Sequence, residues 1–247
     1  MFIHEYLNKV VRIFVATTVI IIGWQTFGHP DLFDRLVLVI LLVLLTLPSI
    51  RNDVNIFTII TIFLFERLLE ELFYFTKDYS TQKLVIYSLS MLIIYLMHYD
   101  KLVRYIVTPL VTISILVECI WYFNGYQAPA IQFYIAMLSL NVIVRYLLMM
   151  RSPLANYAME LYKKNIDHHY PPKKAQPTPT DWILYSIVAS NIVIISVMIF
   201  EYMLRHVSNY NQLYIYNIYP SIIQLITIST LIVIIDHVIK NNHSLPA

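Results

Sequence analysis

Apolar stretches close to the length of a membrane-spanning helix follow one another along almost the whole chain, separated by short polar gaps. A bilayer core of roughly 30 Å is crossed by about 20 apolar residues in an α-helix, because only a helix or a closed barrel satisfies its own backbone hydrogen bonds in lipid. Of the 247 residues 59% are hydrophobic and 13% charged, about half the charged share of roughly 25% found in soluble domains. The mean hydropathy is +0.66. The reading is an all-α integral membrane protein with little chain left over for a separate soluble domain. Three glycines also exclude folds built on glycine-rich phosphate loops, which need several residues without a Cβ. Cys119 is the only cysteine, so no intrachain disulfide and no multi-cysteine metal site is expected. Neither a cofactor, a metal nor nucleic acid is expected as a ligand.

Apolar windows near span length place eight helices, at 10–27, 32–50, 54–75, 79–99, 102–123, 129–150, 182–204 and 214–239. The first lacks a small-residue cleavage site and is read as a retained helix. The second and fourth have short uninterrupted apolar cores, 36–47 and 84–97, which only tilt or snorkelling flanks would extend to a full crossing. Basic residues are retained in the cytoplasm, so their distribution sets orientation. With eight spans one side holds Lys9, Arg12, Arg51, Lys101, Arg104, Arg151, Lys163, Lys164, Lys173, Lys174 and Lys240, and the other Arg35, Lys77, Lys83 and Arg205. Eleven against four places both termini in the cytoplasm.

The longest connection, 151–181, is expected on that side as well. Leu154, Tyr157, Ala158, Leu161 and Tyr162 recur at helical spacing after Pro153, as in an amphipathic helix on the membrane surface. Pro171, Pro172, Pro177 and Pro179 then make an extended linker. Its lysines serve either as a topology signal or as a grip on anionic lipid.

Comparison of the two halves predicts an internal duplication. Lys9-Val10-Val11-Arg12 aligns with Lys101-Leu102-Val103-Arg104, and Trp24 with Gly28 aligns with Trp121 and Gly125. Phe65-Glu66 aligns with Phe200-Glu201, and Ser90, His98 and Lys101 align with Ser229, His237 and Lys240. Each half has an even number of helices, so the copies share an orientation and a pseudo-twofold axis runs along the membrane normal. The expected organisation is a first four-helix repeat over 1–100, the first two helices of a second repeat over 101–150, the cytoplasmic loop over 151–181, and the last two helices over 182–247.

Charge at membrane depth is costly and so marks candidate sites. Glu66, Arg67, Glu70, Glu118 and Glu201 fall in the outer halves of their helices and form a candidate polar or ion site, an acidic vestibule weighed against interfacial glutamates balanced by neighbouring cations. Arg12, His98, Arg104, Asp236 and His237 lie at inner helix ends and form a candidate lipid-phosphate site, weighed against polar residues that simply end a helix in the headgroup zone. Two short motifs carry no function. Asp167-His168-His169-Tyr170 resembles the Asp-His-His-Cys signature of membrane palmitoyltransferases, but Tyr170 stands where the nucleophile is needed. Glu70-Glu71 and His237, which superficially resemble an intramembrane protease pattern, belong to opposite membrane faces.

No catalytic residue emerges. The chain reads as a non-catalytic polytopic membrane subunit, sensor or anchor, with the bilayer, other membrane or cytoplasmic subunits and a second copy of itself as its partners. The alternative is a cation or proton channel, or a transporter-like unit, on the pseudo-twofold axis. A lipid-modifying enzyme ranks third.

Overall fold

The computed structural model describes residues 10, 13, 17–26, 30–75, 80–126, 131–165, 174–208 and 212–241. Among these residues the chain is helical and holds no strand. The helices are α1 (residues 17–25), α2 (Pro30–Thr46), α3 (Pro48–Arg51), α4 (Val54–Phe75), α5 (Ser80–Leu96), α6 (Thr108–Phe123, entered through a π-helical turn at Val103–Val107), α7 (Ile131–Met149), α8 (Arg151–Asn165), α9 (Pro179–Ser208) and α10 (Tyr214–Asn241).

Four stretches are long and apolar enough to cross a bilayer: Val103–Phe123, Ile131–Met149, Pro179–Ser208 and Tyr214–Ile239. They mark a membrane protein; of the eight expected spans, these four meet both criteria among the described residues. The reasons are local. Pro48 has no N–H and forces Leu47 into an extended conformation (φ −69°, ψ 126°), so the second apolar run is broken into α2 and α3. The 17 residues of α2 then reach about 25 Å at 1.5 Å per residue. The 17-residue α5 has the same shortfall. In α4 length is sufficient, but Glu66, Arg67, Glu70 and Glu71 crowd its second half. Residues 11, 12, 14–16 and 27 of the first expected span lie outside the described residues.

Chain punctuation follows elementary rules. Asp53 caps α4, its Oδ1 accepting from the N–H groups of Asn55 (2.9 Å) and Ile56 (3.4 Å). Pro109 cannot donate a helical hydrogen bond, and the turn before it widens to the π form, with the Thr108 hydroxyl also donating to the Val103 carbonyl at 3.0 Å. Gly125, at φ +66°, ends α6. The Tyr126 N–H donates to the Trp121 carbonyl (3.0 Å) and the Gly125 N–H to the Tyr122 carbonyl (3.2 Å), and the Trp121 and Tyr126 rings meet at 5.7 Å. This is a complete Schellman stop with its apolar contact.

The chain divides into two compact units. One comprises Met1–Phe65, Tyr146–Ile187 and Ile223–Ala247, the other Glu66–Arg145 and Val188–Ile222. In the first, Gly23 receives Ile228, whose side chain would stand 2.3 Å from a Cβ at that position, and the Gln224 amide donates to the Thr26 carbonyl at 3.1 Å. A side chain at position 23 would displace the end of Ile228, so the glycine lets α1 and α10 approach closely without rearrangement. In the second unit single polar bonds tie neighbouring helices: Ser90 to Ser139 (2.7 Å) for α5 and α7, Asn191 to Asn141 (2.8 Å) for α9 and α7, and Ser114 to the Met203 sulfur (3.3 Å) for α6 and α9. Between helices in lipid such bonds fix register more than they add stability.

Candidate functional site

The five outer candidates all belong to the second unit, in separate settings. Glu201 on α9 is 9% exposed. Its carboxylate accepts from the backbone N–H groups of Tyr214 (2.7 Å), Ile215 (3.1 Å) and Tyr216 (2.7 Å). The first turn of α10 has four N–H groups without helical partners, and its positive dipole end favours an anion. Glu201 therefore caps the helix that follows its own and closes the α9–α10 hairpin. Arg67 and Glu70 pair along α4 at 2.6 Å, one turn apart. Glu118 on α6 accepts from Lys83 Nζ on α5 at 3.1 Å. Glu66 is 3% exposed; with Glu201 it is one of two buried glutamates among the described residues.

Of the inner candidates, Arg12 lies outside the described residues. Arg104 sits in the π-helical turn, exposed, donating to the hydroxyl of Tyr105 at 2.7 Å with its guanidinium 4.9 Å from that ring. His98 is exposed, its Nδ1 2.9 Å from the Tyr95 carbonyl and its ring 3.8 Å from that of Tyr99. Both belong to the second unit, whereas Asp236 and His237 belong to the first. His237 is buried, with Nδ1 2.7 Å from the Thr180 hydroxyl, which joins the end of α10 to the start of α9. Asp236 is half-buried.

The most highly coordinated charge is one the sequence assigns only to topology. Arg151, 2% exposed, opens α8. Its Nε and Nη2 donate to the two oxygens of Asp181, both at 2.7 Å, in the bidentate geometry that suits a guanidinium. Nη2 also donates to the Gln176 carbonyl (2.7 Å), and Nη1 to Asn55 Oδ1 (3.2 Å) and the Thr58 hydroxyl (3.0 Å). Asp181 in turn accepts from the Thr178 N–H at 2.7 Å. Thr178-Pro179-Thr180-Asp181 has the capping-box pattern with proline at the first helical position, and makes the half in which the acid accepts from the N-cap N–H. One cation thus fixes the starts of α4, α8 and α9 in the first unit. The capping box was readable in the sequence. Its arginine partner, 30 residues away, was not.

Arg145 behaves similarly in the second unit, pairing with Asp100 at 2.5 Å rather than extending into the headgroups. Asp100 also caps the turn that follows it, accepting from the Leu102 N–H at 2.8 Å.

Aromatic rings gather where α6 and α9 end and α7 and α10 begin. Tyr202 stacks on Tyr216 at 5.2 Å, Tyr134 meets Tyr202, Tyr216 and Tyr219 edge-on at 6.1–6.5 Å, and His206 lies between Tyr202 (4.8 Å) and Trp121 (5.9 Å). The Tyr126 hydroxyl is 3.0 Å from His206 Nδ1. Tyr and Trp concentrate at membrane–water boundaries, where an apolar ring and a polar tip both find suitable surroundings. The cluster marks one end of the four span-length helices as a boundary.

Residues matched between the halves differ in setting. Trp24 is 82% exposed and Trp121 5%; Ser90 is buried and Ser229 exposed; His98 is exposed and His237 buried. By contrast Glu66 and Glu201 are both buried and Phe65 and Phe200 both exposed, and Gly28 lies outside the described residues. The chain matches none of the protein-family models, characterised proteins or solved structures with which it was compared.

Proposed function

We infer that the chain is a non-catalytic polytopic subunit or anchor of a membrane-associated assembly. The observation that carries the reading is the employment of its charges. Glu201 caps α10, Asp181 holds Arg151, Asp100 holds Arg145, Glu118 holds Lys83 and Glu70 holds Arg67. A permeation path or a catalytic centre needs groups that converge on a substrate and exchange partners with it, whereas these groups tie one helix or turn to another. Large apolar side chains meanwhile face outward on the helices, among them Phe65, Leu72 and Phe75 on α4 and Ile113, Leu116 and Ile120 on α6, and supply surface for lipid and for neighbouring subunits.

The finer topology belongs to the same proposal. The remaining apolar helices α1, α2, α4 and α5 occur in the order expected of further crossings, and local bilayer thinning would accommodate the two 17-residue helices. Eight crossings put both termini in the cytoplasm by the basic-residue bias. A duplicated origin is supported by the aligned Phe-Glu pairs, whose glutamates are both buried and whose phenylalanines are both exposed. Single cysteines at Lys174 and Ser208 in a Cys119→Ser background test the orientation: Ser208 is expected to react with an impermeant reagent from outside and Lys174 to be protected, and the reverse pattern would overturn it.

A second reading, a cation or proton pathway, rests on the buried Glu66. Native mass spectrometry of the chain extracted gently from its own membranes separates the two. The subunit reading expects a stoichiometric protein partner; a chain that emerges alone, or only with copies of itself, would count against it.

A further inference from the structure

The amphipathic helix α8 offers a surface that the subunit reading does not use. It begins at Arg151, two residues after the span-length α7 ends at Met149, and the chain re-enters a span-length helix at Pro179. Its position along the chain is therefore the edge of the bilayer. One side of α8 is held inward. The Ser152 hydroxyl and the Asn156 amide both donate to the Ala175 carbonyl (2.8 and 3.0 Å), the Ala175 N–H donates to Asn156 Oδ1 (2.8 Å), and Ala155 and Ala175 are buried. Together with the Arg151–Asp181 pair, these bonds fix the rotation of the helix about its axis.

With that rotation fixed, the opposite side is apolar and uncovered. Leu154, Tyr157 and Leu161 are 45%, 63% and 50% exposed, and Ala158, between them at helical spacing, is exposed as well. In water such a stripe would forfeit the free energy that burial of its apolar surface releases. The charge of the segment selects the cover. Between Ser152 and Thr178 the sequence carries Lys163, Lys164, Lys173 and Lys174 against Glu160 and Asp167.

We propose that α8 is an interfacial helix that seats Leu154, Tyr157 and Leu161 in the headgroup layer of an anionic bilayer, with the flanking lysines recognising lipid phosphates. The inward bonds of Ser152, Asn156 and Arg151 couple this seat to the starts of α4 and α9, so anionic lipid stabilises the whole first unit by linkage. The proposal rests on the membrane class of the chain and not on its role as a subunit.

The test uses the full chain in nanodiscs, with Cys119→Ser and an environment-sensitive fluorophore on Tyr157→Cys or, as a control, on Gln176→Cys, an exposed position outside the lysine set. In phosphatidylcholine containing phosphatidylglycerol, the Tyr157 label is expected to be quenched by nitroxide on the upper acyl chain. Iodide should quench it about fivefold less than the Gln176 label, as burial at headgroup depth requires. Replacing the phosphatidylglycerol with phosphatidylcholine should weaken the nitroxide quenching and lower the melting temperature. Lys163→Gln with Lys164→Gln should abolish both lipid effects. Iodide quenching at Tyr157 equal to that at Gln176 would show a water-facing stripe and overturn the proposal. Protection from both quenchers would show a protein cover and overturn it equally, and indifference to phosphatidylglycerol would remove the anionic partner.

Discussion

Asp181 in the first unit and Glu201 in the second are both largely buried carboxylates near a helix start, held in opposite ways. Asp181 is paired with a guanidinium that is itself enclosed, so each ion depends on the other. Glu201 is paired with three backbone N–H groups, which are partial charges that exist whether or not the acid does. The lesson is that burial alone does not make a charge functional or fragile. What matters is whether removing it strands another charge.

The largest effect should follow from breaking the ion pair on one side. Asp181→Ala leaves Arg151 buried among neutral acceptors and is expected to cost about 3–5 kcal/mol, the usual penalty for an orphaned buried ion. Thermal unfolding in mild detergent reads it. The double change Arg151→Met with Asp181→Leu should recover most of the loss, and a double mutant as unstable as the single one would mean that the pair does more than compensate itself.

Glu201→Ala should cost less, about 2 kcal/mol, since the exposed donors are those of one helix end and water at the boundary can reach them. Glu201→Gln keeps an acceptor oxygen and should lose under half as much. If Glu201→Ala were as damaging as Asp181→Ala, the contrast between the two sites would fail.

Gly125→Ala sharpens the comparison by testing a stop that carries no charge. A Cβ at φ +66° should cost about 1 kcal/mol through backbone strain, although nothing lies within 4 Å of it. The smallest effect is expected for Asn191→Leu, about 0.6 kcal/mol, typical of a single interhelical bond in lipid.

The sequence made the membrane class and the four strongest spans legible, because a long apolar run has few other uses. Pro48 was visible as well, yet the run on either side of it is apolar enough to be read as one helix; the break comes from the chain geometry before a proline. The four charges of α4 were visible, but they were read as chemistry and not as a limit on the span. Glu201 stood out through its match with Glu66. Its actual role depends on the α9–α10 hairpin, which brings residues 13–15 positions further on back to its carboxylate. Arg151 was hidden for the same reason. It ends an apolar run as topology arginines do, while its partners Asn55 and Thr58 are 96 and 93 positions away and no periodicity connects them.

The proposal is that the buried and paired acids described above hold helices together and do not conduct. Proton and cation flux into liposomes reconstituted with the full chain, under an imposed membrane potential, tests it most directly. Flux is expected to be no greater than in protein-free liposomes. A protein-dependent flux that falls in Glu66→Gln or Glu201→Gln, with the melting temperature unchanged, would contradict it.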